Sequence, residues 1–431
     1  MADAQPRGFS LVQSMTAITV TTASAGPTIA AMVTKTPGTP TSAPGPPAAW
    51  SAPDVAGDIE VLAYYFPSWH TDPLNERWHG AGWTEWELLG AARPRFEGHR
   101  QPIMPAWGRF DEANPEWASK EIDLAADHGV TTFLYDWYWY EGGPFLHRAL
   151  EDGFLRAPNR GRMKFALMWA NHDWTNVHPA RLKNRLDVLA SGMVDAADLD
   201  RVVDHLLEHY LLEPNYLKID GEAYFSIYDV AAFVDGLGGL AQAGRAIARF
   251  RERVQAAGLP GLHVNLILTS YSVLPTDSQS TDPNDVIDRL GASSVGTYTW
   301  IHHFRPLTFP TCEYADAARR MYDVWADSRS TNRVPYQPNV SMGWDSSPRT
   351  VQTDRFEQSG GYPFLSVLAN NTPAAFREAL ERAREFVEAG STPADRVVTI
   401  NAWNEWTEGS YLLPDTLEGT RYLEAIREVF G

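Results

Sequence analysis

From residue 58 onward the chain alternates short apolar runs with longer amphipathic ones. Eight apolar runs bounded by turn residues cover residues 59–65, 130–136, 164–170, 223–228, 262–268, 293–298, 335–342 and 396–402. Their length and lack of in–out alternation fit parallel strands buried on both faces. Helical periodicity falls between them, over 115–128, 144–155, 197–210, 240–257, 314–326, 373–389 and 417–430, with a short helix expected at 284–290. Asp127-His128-Gly129 and Ala256-Ala257-Gly258 read as helix stops before the next strand. Eight strands with alternating helices predict an α/β fold, a single (β/α)₈ TIM barrel over residues 53–431. A doubly wound open sheet is the alternative. However, no GxGxxG or Walker fingerprint points to nucleotide binding. Long loops rich in Trp, His, Asn and Asp follow the strands at 66–114, 171–195, 270–290 and 343–364, whereas the segments leading into strands are mostly short. A barrel enzyme builds its site on the C-terminal face, and this asymmetry places the chemistry there.

Residues 1–52 differ from the rest. Segment 35–49 is rich in Pro, Gly, Ser and Thr and reads as a linker, so the whole stretch is expected to be a disordered or linker extension. Segment 10–33 is too polar for a transmembrane helix and lacks the compact basic and apolar regions of a signal peptide, which leaves cytoplasmic and secreted locations both open. The net charge of −18 disfavours nucleic acid and anionic membrane as partners. One cysteine, Cys312, excludes a disulfide framework and a thiolate metal cluster. Aromatics are the outlier, with 16 Trp, 17 Tyr and 18 Phe, many beside Gly, Asn, His and Asp. Flat apolar faces ringed by polar groups suit a glycan substrate.

The strongest local signal is Thr399-Ile400-Asn401-Ala402-Trp403-Asn404-Glu405-Trp406-Thr407-Glu408-Gly409, which leaves the eighth strand. Glu405 and Glu408 stand three apart, on one side of a helical turn. Glycosidic cleavage needs two carboxyl groups facing one bond, their pKa values pushed apart. The competing reading is an exposed first helical turn, where Glu is favoured by the dipole. Asn401, Trp403, Asn404 and Trp406 favour chemistry, because Trp and Asn serve poorly there. Three further clusters end strands. The first, with Tyr65, Trp69, His70, Trp83, Glu85 and Trp86, is expected to wall a sugar cleft, and Glu85 is the reserve catalytic carboxylate. Asp136 and Trp137 end the second strand; Trp169, Asn171, His172 and Trp174 end the third. Tyr298 closes the sixth. His172 with Asp173, and the adjacent His302-His303, are residue types that bind metals. Their remaining ligands would have to come from other loops, and neighbouring histidines on extended chain point to opposite sides. No metal or other cofactor is expected.

The tract Asn401–Asp415, with 63–70, 82–86, 136–140 and 169–174 in order before it, resembles the WbsX-type proteins of bacterial polysaccharide loci, relatives of the glycoside hydrolase family 99 endo-α-mannosidases. The resemblance spans about residues 58–430. It implies a barrel, action on α-linked glycans and no cofactor. It also implies that Glu405 acts on the sugar 2-hydroxyl, with retention through an anhydro-sugar, and that Glu408 is general acid and then base. Thr407 stands where the mannosidase branch tends to carry His, which removes the basis for a mannose preference. Three functions follow: a glycoside hydrolase, a glycosyltransferase building surface polysaccharide, or a non-catalytic glycan-binding barrel.

Overall fold

The computed structural model describes residues 59–431 apart from 183, 185, 270–282, 305–307 and 359–360. The expected extension 1–52 and most of loop 270–290 lie outside the described residues. Among the described residues, nine parallel strands follow one another around a barrel: β1 Glu60–Tyr65, β2 Thr132–Tyr140, β3 Lys164–Trp169, β4 Glu222–Ile227, β5 Leu262–Ile267, β6 Ser294–Gly296, β7 Tyr336–Gln337, β8 Asn339–Ser341 and β9 Val397–Asn401. Each pairs with its predecessor except that β7 and β8 are two halves of one stave, divided at Pro338. β7 pairs with β6, while β8 pairs with β9, which pairs with β1. Proline has no N–H to give the ladder, so the strand breaks there. Its carbonyl still accepts from Thr399 N–H at 3.0 Å, and the ring closes through it. All eight apolar runs are strands of this barrel.

Seven helices alternate with the staves: α1 Pro115–Ala126, α2 Ala196–His209, α3 Leu240–Ala256, α4 Pro283–Leu290, α5 Tyr314–Thr331, α6 Pro373–Glu388 and α7 Arg421–Phe430. The eighth expected helix, 144–155, does not form as such. β2 instead continues through Tyr140 and folds back on itself, Gly143–Phe145 pairing antiparallel with Tyr138–Tyr140. The connecting Glu141 and Gly142 both have positive φ, 53° and 81°, as a two-residue hairpin turn requires. Helical chain resumes only as a π-turn at Ala149–Gly153 and a 3₁₀ turn at Phe154–Arg156.

The barrel interior is more polar than its apolar strands suggest. Tyr224 donates to Gln337 at 2.8 Å, and Asn265 links Ser226 and Ser294 at 2.8 and 2.9 Å. His263 joins Ser294 at 2.8 Å, and Asn339 donates to Thr399 at 3.1 Å. These groups are fully buried and mutually satisfied, so they cost little stability. Among the described residues no helix is long and apolar enough to cross a membrane.

Candidate active site

The end of β9 turns sharply. Asn404–Glu405 pairs antiparallel with Ser410–Tyr411, and between them Trp406–Glu408 forms one 3₁₀ turn. Residues i and i+3 eclipse in that geometry, so Glu405 and Glu408 leave the turn on the same side. Gly409 ends it at φ 63°. A Cβ there would lie 2.7 Å from the Asp345 Cβ and 2.9 Å from its nitrogen. Asp345 N–H in turn donates to the Glu408 carbonyl at 2.5 Å. Gly409→Ala should therefore lose more than about 1–2 kcal/mol, the cost of the left-handed backbone alone, and displace Glu408. Thermal unfolding together with turnover checks this; an unchanged Tm would show that the turn has room to move.

Both carboxylates meet one guanidinium. Arg349, from the loop after β8, donates through Nη2 to Glu405 Oε1 at 2.6 Å and through Nη1 to Glu408 Oε1 at 2.6 Å. Nη2 also reaches both Glu85 oxygens, at 3.1 and 3.2 Å. Tyr362 O–H donates to Glu408 at 2.7 Å, and Thr407 O–H to Glu85. Arg349, Tyr362, Glu405 and Glu408 stand in the wall of a solvent-connected cavity lined also by Phe66, Asp136, Trp174, Tyr298, His302 and Trp344.

One positive charge faces three buried carboxyl groups, so they cannot all ionise. Burial would raise Glu85, but Arg349, His178 and Thr407 outweigh it and hold the group down to about 2. With Glu85 ionised, the Arg349 charge is already matched. Glu405 and Glu408 are both raised, by burial first; Arg349 opposes the shift in each. Two raised carboxyl groups on one guanidinium are an arrangement from which one acid and one base can be drawn in the same pocket. Asp136 is also raised by burial, against the hydrogen bond it accepts from Tyr298 at 2.9 Å. His172, His178 and His302 are all lowered by burial, His302 to about 3. The 3.2 Å contact between His178 and Glu85 is therefore a hydrogen bond from a neutral imidazole, not an ion pair. Asp136 Oδ1, Trp174 Nε1, His178 Nδ1, His302 Nδ1 and Trp344 Nε1 are buried without a protein partner, on residues that line this cavity. Among the described residues no three His, Cys, Asp or Glu are placed to hold a metal ion.

The sequence profile of the family described as glycosyltransferase WbsX matches residues 61–426, the whole barrel and the site. The chain belongs to this WbsX family. Two curated relatives, both uncharacterized proteins named WxcX from strains of Xanthomonas campestris pv. campestris, are 26% identical over 377 residues, 85% of this chain. The chain spans about half the length of these relatives, 49% of each. Among solved structures it is similar to a GH99 endo-alpha-mannosidase of Bacteroides thetaiotaomicron bound to bis-tris propane, with TM-score 0.53 and 13% identity over 86% of this chain and 96% of that one. A glycoside hydrolase-like protein matches with TM-score 0.55 and 15% identity over 86% and 94%. These superpositions show a shared fold and nothing beyond it.

Within this WbsX barrel, six of the residues expected from the sequence to form the sugar site line the cavity: Asp136, His172, Trp174, Tyr298, Glu405 and Glu408. Glu85 touches it through Arg349. Trp83 lies behind the wall, its ring 5.6 Å from that of His178. The others point elsewhere; for Tyr65, Trp137 and Trp169 the reason is that alternate strand residues face the helices rather than the pore. Tyr65 donates to Glu121 of α1, and Trp403 reaches the same carboxyl at 3.2 Å. Trp69 packs on Trp86, which donates to the Phe110 carbonyl. His70 binds Glu112. Trp137 and Trp169 face the helix layer, against His205 and Phe233 respectively. Asn171 pins the Asp229 backbone, Asn404 that of Phe66. Asn401 takes Ser410 O–H on its carbonyl, and Trp406 stacks on Tyr411. Of the histidine pair, His302 faces the cavity and His303 binds Thr297. Arg349, Tyr362 and His178 are not legible beforehand. The only signal was the length of loops 171–195 and 343–364, and nothing local separates Arg349 from the exposed Arg355.

Glu121 itself gives a stability prediction. Burial, then Glu112, raise it from 4.5 to about 8. Over that window the folded chain holds a proton that the unfolded chain has released. The stability it contributes is full below 4.5 and lost as pH rises to about 8. In Glu121→Gln, which cannot titrate, Tm relative to the parent should climb steadily across the window. A difference independent of pH would show that Glu121 does not titrate there.

Proposed function

We propose that this WbsX-family barrel cleaves α-linked glycans by retaining hydrolysis, with Glu405 and Glu408 as its working pair. The observation that carries this reading is their placement: two raised carboxyl groups on one guanidinium, in the wall of a cavity lined by aromatic and polar residues. In the proposed first step Glu405 takes the proton of the 2-hydroxyl while that oxygen attacks C1. Glu408 gives its proton to the departing glycosidic oxygen, leaving an anhydro-sugar. In the second step Glu408 removes a proton from water as it attacks C1, and Glu405 returns a proton to O2. Both groups then regain their starting states.

In the free site Glu408 accepts two donors, from Arg349 and Tyr362, and Glu405 one. With fewer donors, Glu405 is the group that holds a proton more readily in the free site on this reading. A sugar 2-hydroxyl donating to Glu405 stabilises its charged form and moves the proton to Glu408, as the proposed roles require.

The family's description as a glycosyltransferase favours a second reading, synthesis of a surface polysaccharide from an activated donor. A panel of α-linked oligosaccharides, incubated with no donor, separates the two. Release of reducing ends with retained anomeric configuration, followed by NMR, supports hydrolysis. Sugar transfer that appears only with a nucleotide- or lipid-linked donor supports synthesis. Glycan binding with neither activity reduces the barrel to a binding module.

A further inference from the structure

Two buried carboxyl groups outside the cavity have no part in this chemistry. Glu112 precedes α1 and Glu121 lies within it; both are essentially inaccessible. Each is tied to the tract that delivers Glu405. Glu121 accepts from Trp403 Nε1 at 3.2 Å through one oxygen and from Tyr65 O–H at 2.9 Å through the other. Glu112 accepts from Trp69 N–H at 2.7 Å and contacts His70 Nδ1 at 2.8 Å through Oε1; its Oε2 faces Asn404 Nδ2 at 3.5 Å. Trp69 Nε1 donates on to the Asn404 carbonyl at 3.0 Å. The Asn404 side chain grips both the N–H and the carbonyl of Phe66, at 2.8 and 2.9 Å. Trp403 and Asn404 are the two residues immediately before Glu405, so this network holds the backbone from which Glu405 projects. Tyr65, Trp69, His70, Trp403 and Asn404 are polar-aromatic residues that suggest a sugar cleft by sequence. In space they form a framework behind it.

We infer that Glu112 and Glu121 are positioning residues for Glu405, bracing the Trp403-Asn404 dipeptide from the helix side of the barrel. A buried carboxyl group is costly unless its oxygens are occupied, and here each oxygen has a partner on or beside this tract. Because catalysis requires reacting groups held in near-attack geometry, an error of about 1 Å costs about 10²-fold in rate. The inference rests on the proposed role of Glu405 for its kinetic arm alone.

The test uses the full chain with Glu112→Ala, Glu121→Ala and the matching Gln variants. Hydrogen exchange of the backbone amides across 401–408 reads the brace without turnover. Faster exchange there in the Ala variants, largely restored by Gln, is the expected result. Where the parent cleaves glycan, kcat should fall about 10–100-fold with KM within about two-fold, again rescued by Gln. Unchanged exchange at 401–408, Gln variants no better than Ala, or kcat and KM moving together with a general loss of Tm would overturn the inference. If the parent cleaves nothing, the hydrolase reading fails and the exchange measurement still decides the brace.

Discussion

Replacing either Glu405 or Glu408 by Gln is expected to cut turnover about 10²–10⁴-fold, the range for loss of a general acid or base, while the fold survives. Gln keeps the shape and the oxygen that Arg349 binds. It cannot take or give a proton. The buried cluster holds more carboxyl groups than its one guanidinium can match, so removing one charge leaves Tm unchanged or raised. That separates chemistry from stability: a variant that loses turnover with a lower Tm has failed for a different reason. The pH profile sharpens the point. Both groups are raised above the usual carboxylate range, by burial before any other cause. The acid and alkaline limbs of activity should therefore both lie higher than two exposed glutamates would place them. In each single variant one limb should vanish. Normal cleavage by both variants would remove the pair from the mechanism.

Arg349→Leu should be the most damaging substitution outside the pair. It leaves Glu85, Glu405, Glu408 and the Tyr362 hydroxyl, all buried, facing one another without a cation. Breaking a buried ion cluster by removing one partner costs about 3–5 kcal/mol. The loss has a pH signature. Glu85 is held down at about 2, with Arg349 the largest influence opposing burial. A depressed carboxyl contributes stability that is complete above its ordinary 4.5 and disappears as pH falls toward 2. The Tm gap between parent and variant should thus be widest near neutrality and narrow through that acid window. Arg349→Lys restores charge but not reach: one ammonium cannot serve Glu405, Glu408 and Glu85 with separate nitrogens in fixed directions. It should recover part of the Tm and little of the turnover. A gap that does not change with pH would mean that Glu85 is not the group Arg349 stabilises.

Much of the fold is visible in the linear pattern because the forces that make a strand or a helix act over a few residues. Each of the eight apolar runs is a barrel strand. The run 335–342 is a strand interrupted by its own proline, still within local reach. The segment 144–155 shows where local pattern loses. Its helical spacing is overridden by the Glu141-Gly142 turn and by pairing with a strand whose length is set in the sheet.

The site divides along the same line. That Glu405 and Glu408 share a side follows from a separation of three residues, and that they sit on the C-terminal face follows from the strand before them. Which aromatics face the cavity is a different question. Tyr64 and Tyr65 are neighbours of the same type. One reaches across the pore to the Thr297 carbonyl and the other turns out to α1. The pleat alternates them, and only ring closure says which side is the pore. Arg349 is further still from prediction, its partners standing 56, 59 and 264 residues away in the chain. By itself, then, the sequence determined the barrel and the placing of Glu405 and Glu408 on one side of a turn at the end of its last strand. The tertiary structure decided which guanidinium meets them, how deeply they are buried and which residues contact the chain before them. Those depend on burial and on charges brought together by closure of the ring, and neither has a local trace.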